Sequence, residues 1–185
     1  MRGELMRAEM EIRKLEADML TEDMLLGFKH HQVILKKWIN KHERWELIDT
    51  FEVREWNEEK RKWIPKYLQQ QIERGGSAVG AYIKDNLVGF CCIDGIEEIK
   101  GCQYANVTML FVDDDYQNMG LGKALFTSIC ESAKKLKAEK LFISAIPSME
   151  TIAFYFQMGC IDAQEIIPKF VDTENDRYLE YALIQ

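Results

Sequence analysis

The chain has 185 residues, of which 47% are hydrophobic and 30% charged, with a formal net charge of -7 and a sequence pI near 5.1. That length suits one domain with a substantial core, and the composition excludes disordered and collagen-like classes. The acidic balance argues against a nucleic-acid binder, which needs a basic face to neutralise phosphates, and mildly favours a cationic partner.

No apolar run approaches the roughly 20 residues of a membrane-spanning helix, and the opening MRGELMRAEMEIRK lacks the apolar stretch of a secretory signal. The expectation is a cytoplasmic protein with no membrane partner. Cys91, Cys92, Cys102, Cys130 and Cys160 form no Cys-x-x-Cys pair and fall mostly in apolar patterns, so they read as reduced core thiols.

Residues 1–9 precede a second methionine, Met10, and receive no function. Residues 11–15 alternate polar and apolar and predict a short first strand. From Thr21 the pattern turns helical: Thr21 suits an N-cap, Glu22 and Asp23 suit the positive helix end, and Met24, Phe28, Leu35, Trp38 and Ile39 share a face. This predicts a long amphipathic helix over residues 21–40. Residues 45–56 are β-rich (Trp45, Ile48, Phe51, Val53), and a second helix is predicted over 58–73, ended by Gly75 and Gly76, with Pro65 as a point of kinking.

After Gly76 two apolar runs, 78–83 and 87–93, flank the turn residues Lys84, Asp85 and Asn86 and predict a hairpin. A third strand, 104–112, leads through a loop, 113–119, into a helix from Gly120 to about Lys137. Its positions Leu121, Leu125, Ile129, Ala133 and Leu136 repeat at helical spacing. Residues 141–146 predict a buried strand, 148–158 a helix closed by Gly159, and 161–171 with 178–183 a terminal strand pair. The order implies a mixed α/β (α+β) fold without internal repeats.

The junction between strand 104–112 and its helix is the informative segment. Gln117-Asn118-Met119-Gly120-Leu121-Gly122 places two glycines where a helix opens, so unpartnered N–H groups and the positive end of the helix dipole meet whatever lies there. Glycines would let a phosphate approach the backbone. A Walker loop would need Gly in place of Gln117 and Ser or Thr in place of Ala124. A dinucleotide fingerprint would need Gly in place of Leu125. Taken alone, the hexapeptide fits equally a helix start that uses glycine for tight packing.

The pattern Gln/Arg-x-x-Gly-x-Gly/Ala after a strand resembles the pyrophosphate loop of the GNAT acetyltransferases, and Ser148 to Cys160, with Phe154-Tyr155 four residues before Gly159, resembles their second signature. The resemblance covers residues 78–183. It implies a GNAT-type fold, a mostly antiparallel sheet with one splayed parallel strand pair and flanking helices, in a single domain over 1–185. Residues 1–75 would form a helical acceptor-side region and 76–185 the acetyl-CoA-binding core.

The implied activity is N-acetyl transfer from acetyl-CoA, without a metal, to an amine of unspecified identity. Acetyl-CoA would be held by Leu110, Phe111 and Val112, by Gln117, Asn118, Met119, Gly120, Leu121, Gly122 and Lys123, and by Ser148 and Tyr155. Backbone N–H groups near Val112 would stabilise the oxyanion. Tyr155, a phenol with an ordinary pKa of about 10, would be the general acid for the leaving thiolate.

Relatives often carry a Glu on the strand before the loop, and this chain has none between Tyr104 and Val112. Glu97, Glu98 and Asp113 to Asp115 are the nearest acidic candidates, each also readable as a solvated turn or loop residue. The missing Glu keeps open a non-catalytic acyl-CoA-binding or regulatory module. Trp38, Trp45, Trp56 and Trp63 fit an acceptor pocket or the core, and His30, His31 and His42 read as surface histidines rather than metal ligands. A homodimer is compatible with the resemblance, since dimers are common in related proteins.

Overall fold

The structure, a computed structural model, describes residues 10–183. The segment 1–9, left without a function above, lies outside the described residues. In chain order the strands are β1 (Met10–Leu15), β2 (His31–Lys41), β3 (Arg44–Glu55), β4 (Ser77–Ile83), β5 (Asn86–Ile93), β6 (Glu97–Ile99), β7 (Cys102–Val112), β8 (Lys140–Ala145), β9 (Ile161–Asp162) and β10 (Arg177–Ala182). The helices are α1 (Glu58–Glu73), α2 (Leu121–Lys135) and α3 (Met149–Gln157).

The main sheet runs β1-β4-β5-β7-β8-β10-β9, with β6 paired to the start of β7, while β2 and β3 form a separate ribbon. Every pairing is antiparallel except β7 with β8. Strand β4 is buried along nearly its whole length, as expected for a strand covered on both faces. Lys84 and Asp85, both at positive φ (50° and 64°), turn the chain into β5, the two-residue geometry whose twist matches the strands.

One face of the sheet is covered by α2 and α3, whose side chains pack on Val79, Ala81, Cys91 and Ile93. Leu121, Leu125, Phe126, Ile129, Cys130 and Ala133 form the buried stripe of α2. Each large side chain so buried contributes about 1.5–3 kcal/mol, which holds the N-terminus of α2 at the end of β7. On the other face α1, through Ile64 and Leu68, joins Leu25, Phe28 and Trp56 over Phe90, Cys92 and Met109. Four of the five cysteines are buried and all are free. Pro65 is buried inside α1, which continues past it.

The helix expected over 21–40 does not form. Residues 21–28 make isolated turns, with N–H groups reaching back three residues (Met24 to Thr21 O, Leu26 to Asp23 O, Phe28 to Leu25 O), and Gly27 at φ 82° ends them. From His31 the chain is strand. Its period of two was hidden by a register shift between Ile34 and Lys36, which makes the apolar spacing look helical. The turn into β3 uses His42 and Glu43 at φ 51° and 64°, a conformation normally signalled by Asn or Gly. The expected helical acceptor-side region is therefore mostly β-ribbon, with α1 its one α-helix among the described residues, beside a 3-10 turn at Ala17–Met19.

The strand expected over 161–171 is also shorter. β9 ends at Asp162, and a 3-10 turn (Pro168–Phe170) instead sends Ile167 and Phe170 under Tyr104 and Phe142.

Candidate active site

β7 and β8 are in register only at Tyr104↔Lys140, Ala105↔Leu141 and Asn106↔Phe142. Beyond Asn106, β7 continues paired to β5 up to Val112, while β8 turns its remaining residues, Ile143 to Ala145, to β10 alone. The two strands thus diverge, and from Val107 to Val112 the β8-facing edge of β7 is open. Buried backbone polar groups require partners, so this edge suits an extended amide-bearing ligand laid beside it. Leu110, Phe111 and Val112 lie on that edge.

At its open end β7 leads through a 3-10 turn (Asp114–Tyr116) into α2. Gly120 is the N-cap at φ 86° and supplies no side chain, and Asn118 is also left-handed at φ 61°. A Cβ at Gly120 would meet nothing within 4 Å, whereas one at Gly122 would lie 3.2 Å from the Phe154 ring. The two glycines therefore differ. Gly120 permits the backbone turn and leaves open space before the helix, while Gly122 lets α3 pack closely. Among the described residues, the first-turn N–H groups of Leu121, Gly122 and Lys123 have no backbone partner, and with the helix dipole they form a terminus of the kind that suits an anion.

The acidic triplet after β7 is structural. Asp113, 6% exposed, accepts from Lys29 N at 2.9 Å and from Asp115 N at 2.9 Å. Asp114 accepts from His31 N at 2.6 Å and from the Gln117 side chain at 2.7 Å, and Asp115 pairs with Lys29 Nζ at 2.7 Å. These bonds pin the start of β2 to the end of β7. Seven residues later Trp38 N donates to Pro147 O at 2.7 Å, which pins β2 to the end of β8. At about 3.3 Å per residue β2 bridges the diverging ends across a span of roughly 23 Å.

A second clamp secures the ribbon. Arg177 of β10, 5% exposed, donates to both oxygens of Asp162 at 2.6 and 2.8 Å. Its Cζ lies 5.1 Å from Trp38, 4.6 Å from Trp45 and 4.9 Å from Phe156, and its Nη1 has no hydrogen-bond partner. The four tryptophans thus divide. Trp38 and Trp45 enclose Arg177, Trp56 stacks on Phe28 at 5.4 Å, and Trp63 lines an outer cleft of about 420 Å³ with Trp56 and Lys60.

Tyr155 lies on the α2 face, 7% exposed, with its ring 6.0 Å from Phe126. Burial, then Cys91 and Cys160, push its pKa well above the ordinary phenol value, so it stays protonated. Cys91 is the register partner of Leu110, so Tyr155 lies against the β5–β7 pair on the α2 face, beneath the strand whose other edge is open. Ser148 is fully buried, and its hydroxyl caps α3 through Thr151 N at 3.1 Å and accepts from the Gln32 side chain at 3.3 Å. That oxygen is engaged in holding α3 against β2.

On the α1 face the structure assembles groups the sequence reading left out. Asp94, just past β5, accepts from Asn106 N at 2.7 Å through Oδ1, and its own N–H donates to Asn106 O at 3.1 Å. Burial raises its carboxyl to about 6, against the Asn106 N–H, which lowers it. Asn106 is 7% exposed and its Oδ1 has no partner. Tyr67 of α1 faces Thr108 and senses Asp94 and Asp172 electrostatically. Asp94 precedes Gly95 and nothing in the sequence around it marks it; only the strand pairing places it here.

The other candidates are placed elsewhere. Glu97 pairs with Lys169 at 2.7 Å, and Glu98 accepts from the Gln103 side chain at 3.3 Å. His30, expected at the surface, is partly buried, 4.6 Å from Trp56 and 5.1 Å from Phe111. Burial lowers its pKa. Among the described residues, no cluster of His, Cys, Asp or Glu is placed to hold a metal ion, and no helix is long and apolar enough to cross a membrane.

A family model described as "Acetyltransferase (GNAT) family" matches residues 40–160, well over half the chain. No curated protein matches this sequence. Among solved structures, nourseothricin acetyltransferase is similar at 12% identity and a TM-score of 0.69, over 95% of this chain and 99% of that one. A protein from Bacillus anthracis str. Ames named for streptothricin acetylation, solved with acetyl coenzyme A, is similar at 17% identity and 0.64, over 94% and 99%. The ribosomal-protein-S18-alanine N-acetyltransferase of Escherichia coli is similar at 18% identity and 0.57, over 95% of each chain. At these identities the likeness is one of fold.

Proposed function

The chain belongs to the GNAT acetyltransferase family, and from that premise we propose that it transfers an acetyl group from acetyl-CoA to a primary amine by direct attack. The observation that carries the reading is the parting of β7 from β8 after Asn106, with the left-handed Gly120 and the free first turn of α2 at its open end. The open edge of β7 fits the amides of a pantetheine arm, and the α2 N-terminus fits a pyrophosphate. When bound, acetyl-CoA supplies the activated acetyl thioester.

The roles of the chain's own residues follow from placement. Residues 110–112 align the arm, and Gln117, Asn118, Met119, Gly120, Leu121, Gly122 and Lys123 form the anion turn. Tyr155, kept neutral by burial, holds a proton for the departing sulfur. Gly122 also admits Phe154 and Ser148 caps α3, so both seat α3 beside the anion turn.

Calorimetric titration with acetyl-CoA and CoA tests the cofactor half. Gly120→Asp places a carboxylate in the open space before α2 and should weaken binding by ~100-fold or more through repulsion at the dipole. Unchanged affinity in this variant, or no binding by the parent protein, sinks the proposal. The acceptor half is tested by CoA release with streptothricin, an aminoglycoside, an alanine-ending peptide amine and spermidine, amines suggested by the names of structural neighbours and by the acidic charge. Tyr155→Phe should lower kcat by about 10²-fold with acetyl-CoA affinity unchanged. Tight binding without turnover of any amine would favour the non-catalytic module.

A further inference from the structure

Direct transfer leaves one step without a residue. An alkylammonium with a pKa near 10.4 must lose a proton before its nitrogen can attack, and the acidic groups flagged in the sequence are committed elsewhere. Glu97 pairs with Lys169, Glu98 lies on the outer hairpin, and Asp113 to Asp115 tie β2 to β7.

Asp94 is differently placed. Its two bonds to the Asn106 backbone put it beside the last residue that β7 shares with β8, at the closed end of the splay. One oxygen, Oδ1, accepts from Asn106 N, which leaves Oδ2 outside that bond. Ala105 and Val107 pack in the core on the α2 side, so by strand alternation Asn106 faces the opposite side. Its Oδ1 is a buried acceptor without a donor, and such an atom is costly unless something with N–H groups completes it. Tyr67, Thr108 and Asp172 lie on this α1 face, and Lys60, which senses Asp172, links it to the outer cleft at Trp56 and Trp63.

We propose that Asp94 takes the proton from the acceptor ammonium, and that Asn106 Oδ1 holds the same nitrogen as a positioning group. This rests on the acetyl-transfer reading above. The ammonium gives one proton to the Asp94 carboxylate, and the freed lone pair forms the bond to the thioester carbon. The C–S bond breaks with its pair passing to sulfur, which takes the Tyr155 hydroxyl proton. The second proton lost from nitrogen restores Tyr155 through solvent, and Asp94 releases its own to solvent, so one proton is released per acetyl transferred. Acid and base thus reach the thioester from opposite faces of the sheet.

The charged groups acting on Asp94 are Glu97, which raises its pKa, and Lys169, which lowers it, while Tyr67 faces it uncharged from α1. Its carboxyl, raised to about 6 by burial, is ionised at neutral pH yet basic enough to accept a proton.

Asp94→Asn keeps an oxygen for Asn106 N and removes the base. With the fastest amine of the panel, kcat/KM at pH 7 should fall about 100-fold, and the acid limb of the pH profile should vanish. Acetyl-CoA affinity should stay within a few fold, and hydroxylamine, already neutral at that pH, should be largely spared. An intact acid limb in Asp94→Asn, or its loss in His30→Gln instead, overturns the assignment. A second measurement needs no acceptor: carboxyl 13C titration of aspartate-labelled protein loaded with CoA, with Asp94 identified by its loss in Asp94→Asn. A midpoint near 6 supports the base, and one near the ordinary 3.8 overturns it. Absence of acetyl-CoA binding by the parent protein overturns the acetyl-transfer reading itself, which separates the two failures.

Discussion

The two sides of the β7–β8 divergence are built from different materials. The α2 side offers backbone: the open edge of β7, the left-handed Gly120 and the first turn of α2. The α1 side offers side chains gathered from remote positions, namely Tyr67, Asp94, Asn106 and Asp172, and a ribbon clamped by Asp114, Pro147 and Arg177 bridges the diverging ends. A backbone site for a common ligand needs glycine at fixed spacing and tolerates change around it. A side-chain site for a particular acceptor needs no fixed spacing, because the fold brings its members together. The first kind leaves a motif in the sequence and the second does not.

The sharpest way to break this division is Phe126→Ala. Phe126 is 1% exposed and touches Phe154, Tyr155 and Tyr181, so denaturant unfolding should show a loss of about 3–5 kcal/mol, with weaker acetyl-CoA binding as α2 loses its seat against α3. If affinity survives that loss, the α2 N-terminus is held by something other than this core.

Arg177→Met should act on the ribbon instead. It removes the paired bonds to Asp162 and the contacts with three rings, at a cost of about 2–3 kcal/mol. It should raise KM for the amine while the calorimetric affinity for acetyl-CoA holds. A parallel fall in both affinities would mean that the ribbon supports the cofactor side as well.

Asp94→Asn should be smaller and opposite in sign. A carboxyl raised from 3.8 to about 6 on folding is harder to ionise folded than unfolded. Its contribution is therefore fully present below pH 4 and is lost as the pH rises through 6. The variant should be more stable than the parent by about 1–2 kcal/mol at pH 7, after discounting for solvent screening. At pH 4 the difference should vanish, and thermal unfolding at the two pH values checks this. The smallest effect is expected from Asp114→Ala, which frees His31 N and the Gln117 side chain at a cost of about 1 kcal/mol; faster amide exchange at His31 would report it.

How much was legible varied with the locality of the signal. Apart from the short β6, the strands and helices from residue 77 to 158 were read nearly to their ends, because each carries its own period and its own turn or cap, such as Ser148 before α3 and Gly159 after it. The ribbon was misread as a helix because a bulge after Ile34 broke its alternation and its turn, His42-Glu43, carries no glycine. Gly122 was read only as room for a phosphate at the backbone; that the ring of Phe154, more than thirty residues away, fills the direction of its missing Cβ had no local signal. Asp94 drew no reading at all, because nothing in its sequence neighbourhood marks it.

The sequence by itself determined the mixed α/β class, the glycine-opened helix after a buried strand, and the cap and closing glycine of α3, since these are local demands of backbone geometry. Only the tertiary structure decided where β7 leaves β8, which carboxylates tie β2 to β7 and which one is held beside Asn106, and that a ribbon rather than a helix spans the open end. Those outcomes depend on pairing and burial between segments far apart in the chain. A buried strand edge or an orphaned Asn106 oxygen is defined by what stands beside it, not by its neighbours in sequence.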